Sequence, residues 1–289
     1  MFLSSWNLLG TRKSSTGQGA TIANTSTPLP LDSITDAGAR ARGRVIVSGS
    51  HGGLYPAYLA SRAGAKAVVL NDAGGGLEAA GIAGVLALAE IGMAAAAAAH
   101  HSCRIGDARD ALAHGSISAV NSVAESFGVR VGTTVADAGK LLGAAPLPSG
   151  SLPEIAETRR LSQLDGSNVD IVLADSASLV VKEDAGRIVI TGSHGGLIGG
   201  DPTRALKAAA ALGVFNDAGY GCGAAGTTRL PALDELGIAA VAVAHTSARI
   251  GDAASAWATG VISCANRTAH AAGMKIGEPL AAAVRRVWC

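Results

Sequence analysis

Gly186–Gly196 reads GRIVITGSHGG, and Gly43–Gly53 reads GRVIVSGSHGG. In both stretches a β-branched run between glycines predicts a buried strand that delivers Ser-His-Gly-Gly into a loop. The correspondence continues downstream. LNDAGGG (70–76) pairs with FNDAGYG (215–221), AHHSCRIGDA (99–108) with AHTSARIGDA (244–253), and GSISAVN (115–121) with GVISCAN (260–266). The offset is 143 residues through the first glycine loop and 145 beyond it, so two residues were gained in between. The pattern is that of a tandem duplication of a unit of roughly 115 residues, enough for a small domain.

Each unit continues from the glycine loop into a helix, then a short strand (AVVLND or GVFND), a second glycine loop and a second helix. Met93–Ala99 is almost all Ala and on propensity alone reads as helix. Its counterpart IAAVAVAH (238–245) alternates valine and ends at the matching histidine, so both are read as strands. A third helix is expected over 111–127 and 256–272. The fold class is therefore α/β: two tandem β-α-β-α-β-α repeats forming a parallel, Rossmann-like doubly wound arrangement with pseudo-twofold symmetry. The expected layout is a flexible leader over 1–28, a first unit over 29–143, a linker over 144–168 and a second unit over 169–289.

Composition narrows the function. A net charge of +1 with no basic run argues against nucleic acid or a membrane surface as partner. No apolar stretch reaches spanning length, and MFLSSWNLLG makes a poor signal peptide. The four cysteines, Cys103, Cys222, Cys264 and Cys289, have no cysteine counterparts in the other unit and form no CxxC, which points to a reducing cytoplasm.

Loops ordinarily drift faster than the elements they join. Here LYPAYLASRAGAKA and LIGGDPTRALKAAAAL have diverged while GSHGG, NDAG and RIGDA have not. All three follow strands, at the carboxyl edge where α/β proteins bind ligands. In GSHGG, Ser50, Gly52 and Gly53, with Ser193, Gly195 and Gly196, suggest backbone amides open to an anion. His51 and His194 are the first candidates for general acid or base. In NDAG, Asp72 and Asp217 are catalytic candidates that could orient a histidine, hold a metal or cap the next helix, and Asn71 and Asn216 could contact substrate. In the third loop, His100 and His245 are further catalytic candidates. Ser102 and Ser247 could contact substrate, and Arg104 and Arg249 could clamp a carboxylate, unless each Arg pairs with the Asp three residues on. Asp32-Ser33 and Asp175-Ser176 precede the first strand of each unit and could fold over the carboxyl edge to complete a site.

A strand ending in Ser-His-Gly followed by one ending in Asp-Ala is similar to the caspase-like peptidases. The nucleophile position of that pattern is occupied here by Gly74 or Gly219, so the resemblance implies no peptidase activity. GxGxxG, a P-loop, GxSxG and HExxH are all missing, and neither a cofactor nor a metal is expected. The leading expectation is a hydrolase acting on a C–N or C–O bond of a small anionic metabolite by histidine acid–base chemistry. The alternatives are an isomerase or racemase with paired histidines, or a ligand-binding module without chemistry. A small anionic substrate is the expected partner, with homo-oligomerisation left open.

Overall fold

The computed structural model describes Met1, residues 27–164 and residues 166–289. The expected leader therefore falls almost wholly outside the described residues. The chain is mixed α/β with two sheets. The first contains β1 (Leu29–Leu31), β2 (Val45–His51), β3 (Ala67–Asn71), β4 (Ala94–Ala98) and β5 (Ile117–Val120), in that spatial order. Its first four strands are parallel, and β5 runs antiparallel to β4. The second contains β6 (Arg159–Gln163), β7 (Asp170–Ala174), β8 (Ile188–His194), β9 (Leu212–Asn216), β10 (Ala239–Val243) and β11 (Ile262–Ala265). There β7–β10 are parallel, with β6 and β11 as antiparallel edges. The sheets are thus parallel-dominated rather than purely parallel, and β6 lies within the stretch read as a linker.

Helices α1 (Leu54–Arg62), α2 (Ala83–Ala87), α3 (Ala108–His114), α4 (Ser122–Ser126) and α5 (Val135–Leu142) accompany the first sheet. The second has α6 (Arg229–Glu235), α7 (Ala253–Thr259), α8 (Arg267–Ala271) and α9 (Leu280–Trp288). Among the described residues no helix is long and apolar enough to cross a membrane.

Two expected helices are corrected. In the second unit the segment after GSHGG forms only 3-10 turns, at Ile198–Gly200 and Pro202–Arg204. Gly199 and Gly200 take φ of +62° and +71°, and Pro202 supplies no amide proton, so an α-helix cannot propagate there. The expected third helix is instead a helix, a strand and a second helix in each unit. Asn121 explains the strand. Its Oδ1 accepts from Ala95 N (3.1 Å) and Ala124 N (2.9 Å), while its Nδ2 donates to Met93 O (2.8 Å) and Val85 O (3.2 Å). One buried amide thereby ties β4 to the end of β5 and caps α4. Asn266 makes the corresponding bonds to Ala240, Ala269, Ile238 and Leu230.

The alanine strand β4 is fully buried, and its side chains are small enough for helices to pack closely on both faces. The two units meet through loops rather than strands. Leu77 N donates to His245 O (2.8 Å), Cys222 N to His100 O (2.8 Å) and Gly199 N to Gly106 O (2.8 Å). Ala73, Ile105, Ala218, Ala225 and Ile250 form a small apolar core across this seam.

Candidate active site

Strand β2 ends at His51, and the two glycines after it turn the chain back over the imidazole. Gly52 N donates to Asn71 O (2.7 Å), and Gly53 N donates to His51 Nδ1 (3.2 Å). A Cβ at Gly53 would stand 2.8 Å from the ring, so glycine is required for this approach. Gly195 N likewise donates to Asn216 O (2.8 Å) and Gly196 N to His194 Nδ1 (3.2 Å). These four amides are spent on the protein itself. The expected anion cradle of glycine-loop amides is therefore corrected: the loop orients a histidine.

That orientation has a chemical consequence. An Nδ1 that accepts an amide proton leaves the proton of a neutral imidazole on Nε2. Neither Nε2 has a hydrogen-bond partner among the described residues, and neither is a sealed, unsatisfied buried atom. Burial lowers the pKa of His51 to about 4. His194 lies well below its ordinary value through burial, the charge of Arg229 and the proximity of His51. Both rings are neutral at pH 7, and both line one cavity of about 760 Å³ that takes its walls from both units.

The wall beside each ring is built in the same way. Ser50 Oγ accepts from Ile34 N (3.0 Å) and Ser193 Oγ from Ala177 N (2.9 Å), which leaves each hydroxyl proton free to donate. These bonds draw the Asp-Ser segments over the sheet edge, and Ser33, Asp175 and Ser176 reach the cavity wall. Asp32 does not. Its Oδ1 caps α3 at Ala108 N (3.0 Å), as Asp175 Oδ1 caps α7 at Ala253 N (3.1 Å).

The other paired histidines lie elsewhere. His100 Nδ1–H donates to Asp72 Oδ1 (2.9 Å), and His245 Nδ1–H donates to Asp217 Oδ1 (2.9 Å). Ser118 Oγ donates to Asp72 Oδ2 (2.7 Å). Burial would raise the Asp72 carboxyl, but bonds from His100, Ser118 and two amides outweigh it and hold the pKa below the carboxylate range. The bond to Asp72 raises His100 against the opposing effect of burial. None of these five residues lines the cavity. Each imidazole instead sits on the NDAG loop of the other unit, with His100 against Gly219 and His245 against Gly74. These pairs hold the seam.

Several other expected ligand contacts are corrected by their bonds. Asn71 and Asn216 accept from Ala73 N and Ala218 N (2.9 Å each) and shape their own turns. Ser102 Oγ donates to Ala99 O (2.8 Å) and accepts from Ser116 N (2.9 Å), and Ser247 bonds Ala244 and Val261 in the same way. Arg249 lines the cavity, but Asp252 and Glu78 neutralise it at 3.0 Å each. Arg104 is exposed outside the cavity lining.

Sequence reasoning missed three groups that the fold brings to this cavity: Glu157, Tyr55 and Arg229. Glu157 comes from the stretch read as a linker. Burial pushes its carboxyl upward, opposed by hydrogen bonds from Tyr55 and Ser176 and reinforced by Asp175. Burial and then Glu157 push Tyr55 up to about 12. Arg229 stands where the first unit has Gly84, and a charge just before the apolar run Leu230–Leu233 was its only signal. Among the described residues no group of three or more His, Cys, Asp or Glu is arranged to hold a metal ion. No known protein family, curated protein or solved structure matches the chain.

Proposed function

We propose that the chain is an enzyme hydrolysing a C–N or C–O bond of a small anionic metabolite in the cavity between its units. The carrying observation is that His51 and His194 line that one cavity. We also infer that the units are duplicated copies related by a pseudo-twofold axis. The paired sequences support this, as do the reciprocal bonds Leu77 N to His245 O and Cys222 N to His100 O.

In this reading the histidines act as neutral donors rather than as bases. Each Nε2–H points a proton at the oxygen on which charge develops, and a desolvated site makes such a donor effective. Glu157, which lines the same cavity, is the group that takes a proton from water, because burial raises its carboxyl above the ordinary value and makes it a stronger base. The isomerase reading shares the cavity but needs two free bases, and both Nδ1 atoms are already engaged. The first unit has Tyr55 where the second has Ile198, and the second has Arg229 where the first has Gly84, which also makes the two walls unequal.

The test is a panel of amide and ester substrates bearing one anionic group, assayed from pH 5 to 9. The proposal expects turnover with no inflection near pH 6.5, because both histidines stay neutral throughout. His51→Gln and His194→Gln should each slow it by about 10²–10⁴. Absence of hydrolysis across the panel, or unchanged rates in both variants, would sink it.

A further inference from the structure

Arg229 is only 5% exposed, yet among the described residues no carboxylate pairs with it. Its Nε donates to Gly196 O (3.0 Å), and its Nη1 donates to the carbonyls of Arg204 (2.9 Å) and Ala205. Its guanidinium carbon lies 5.4 Å from the centre of the Phe215 ring. Nη2 has no acceptor among the described residues, and Arg229 lines the cavity beside His194. The neighbouring charge it feels is that of Arg204, of the same sign. A buried cation held only by carbonyls and a ring is costly unless an anion completes it.

We infer that Arg229 Nη2 and His194 Nε2–H together bind the carboxylate of the substrate, with an apolar body lying beyond it. This rests on the reading of the cavity as the substrate site, and it narrows the anionic group of the substrate to a carboxylate. One guanidinium beside a neutral imidazole presents one positive charge and an N–H donor from each group, the complement of a two-oxygen carboxylate. Leu54, Leu59, Ile155, Ile198 and Leu206 give the cavity an apolar surface beyond this anchor, while the other cations of the lining are engaged elsewhere, Arg204 with Asp36, Arg249 with Asp252 and Glu78, and Lys207 with the carbonyl of Ser178. The first unit, with Gly84 in place of the arginine, has no such anchor, so the substrate enters in one orientation.

The experiment titrates the full chain with butyrate, acetate, inorganic phosphate and butylamine at fixed ionic strength. It follows heat and the imidazole resonances of His194, with the exposed His114 as internal control. Saturable butyrate binding that shifts His194 but not His114 is expected. Butyrate should bind about tenfold tighter than acetate, for two more buried CH₂ groups. Arg229→Gln should weaken it by at least about tenfold. Should that variant not fold, the His194 shifts of the unaltered chain decide alone. The assignment is overturned by the absence of saturable butyrate binding, by undiminished binding in folded Arg229→Gln, or by a preference for phosphate or butylamine. Because the readout is binding, it can fail while hydrolysis stands, and hydrolysis can fail while it stands.

Discussion

At the scale of the residue, one hydrogen bond sets the chemistry of each glycine-loop histidine. Gly53 N and Gly196 N take Nδ1, so burial keeps the ring neutral and the proton on Nε2. This has a signature in stability. An imidazole near 6.5 in the unfolded chain but at about 4 in the folded one makes the unfolded state bind more protons between those values. Stability must therefore fall as pH drops from 6.5 towards 4, with His51 alone contributing about 3 kcal/mol. His100 works in the opposite sense. Its folded pKa is raised by Asp72, so its contribution is complete below 6.5 and is lost as pH rises through the folded value. Urea midpoints between pH 4 and 7 should fall less steeply on acidification for His51→Gln than for the unaltered chain. Parallel curves would refute the buried neutral ring.

At the scale of the element, side-chain amides and glycines decide what strand propensity does not. Asn121 has four hydrogen bonds, and Asn121→Ala strands the amide of Ala95 inside β4. A loss of about 3 kcal/mol is expected in urea denaturation, well above that of a surface substitution. At the end of β8, a Cβ on Gly192 would lie 2.4 Å from Asp252 N and 2.7 Å from Asp175 O, both main-chain atoms. Gly192→Ala must therefore displace the RIGDA loop from the strand end, and a lowered melting temperature checks it. The strands were legible where one stretch could be read against its counterpart. β4 is the clearest instance, since five alanines carry no β signal and only IAAVAVAH revealed it. β5 and β11 were not legible. Four-residue strands after a glycine look like helix continuation until the asparagine that fixes them is seen in three dimensions.

At the scale of the whole molecule, the two sheets build one cavity because the loops at their carboxyl edges interlock. Gly74 and Gly219 sit back to back, with φ of +75° and +73°, each against the other unit's histidine. A Cβ on Gly74 would reach 2.8 Å from the His245 ring and 3.0 Å from Gly219 Cα. Gly74→Ala should prise the seam apart, costing about 2 kcal/mol or more in urea denaturation. The His245 ring should lose its protection from exchange. A stability within about 0.5 kcal/mol of the unaltered chain would show that the seam is loose. This is also where sequence reading of the site ended. The loops were recognisable by their lack of drift, and His51 and His194 were named from them. The sorting of histidines into cavity and seam depends on contacts between units, as does the arrival of Glu157 from a segment read as linker.

The central claim is that His51 and His194 serve one ligand in one place. Its most direct test is the turnover of His51→Gln, His194→Gln and the double variant on the best substrate of the panel, with folding checked by circular dichroism. A shared site predicts that either single change removes nearly all activity, and that the double variant is scarcely worse. Two independent sites predict that each single variant keeps about half the rate and that only the double is inactive. That outcome would contradict the account.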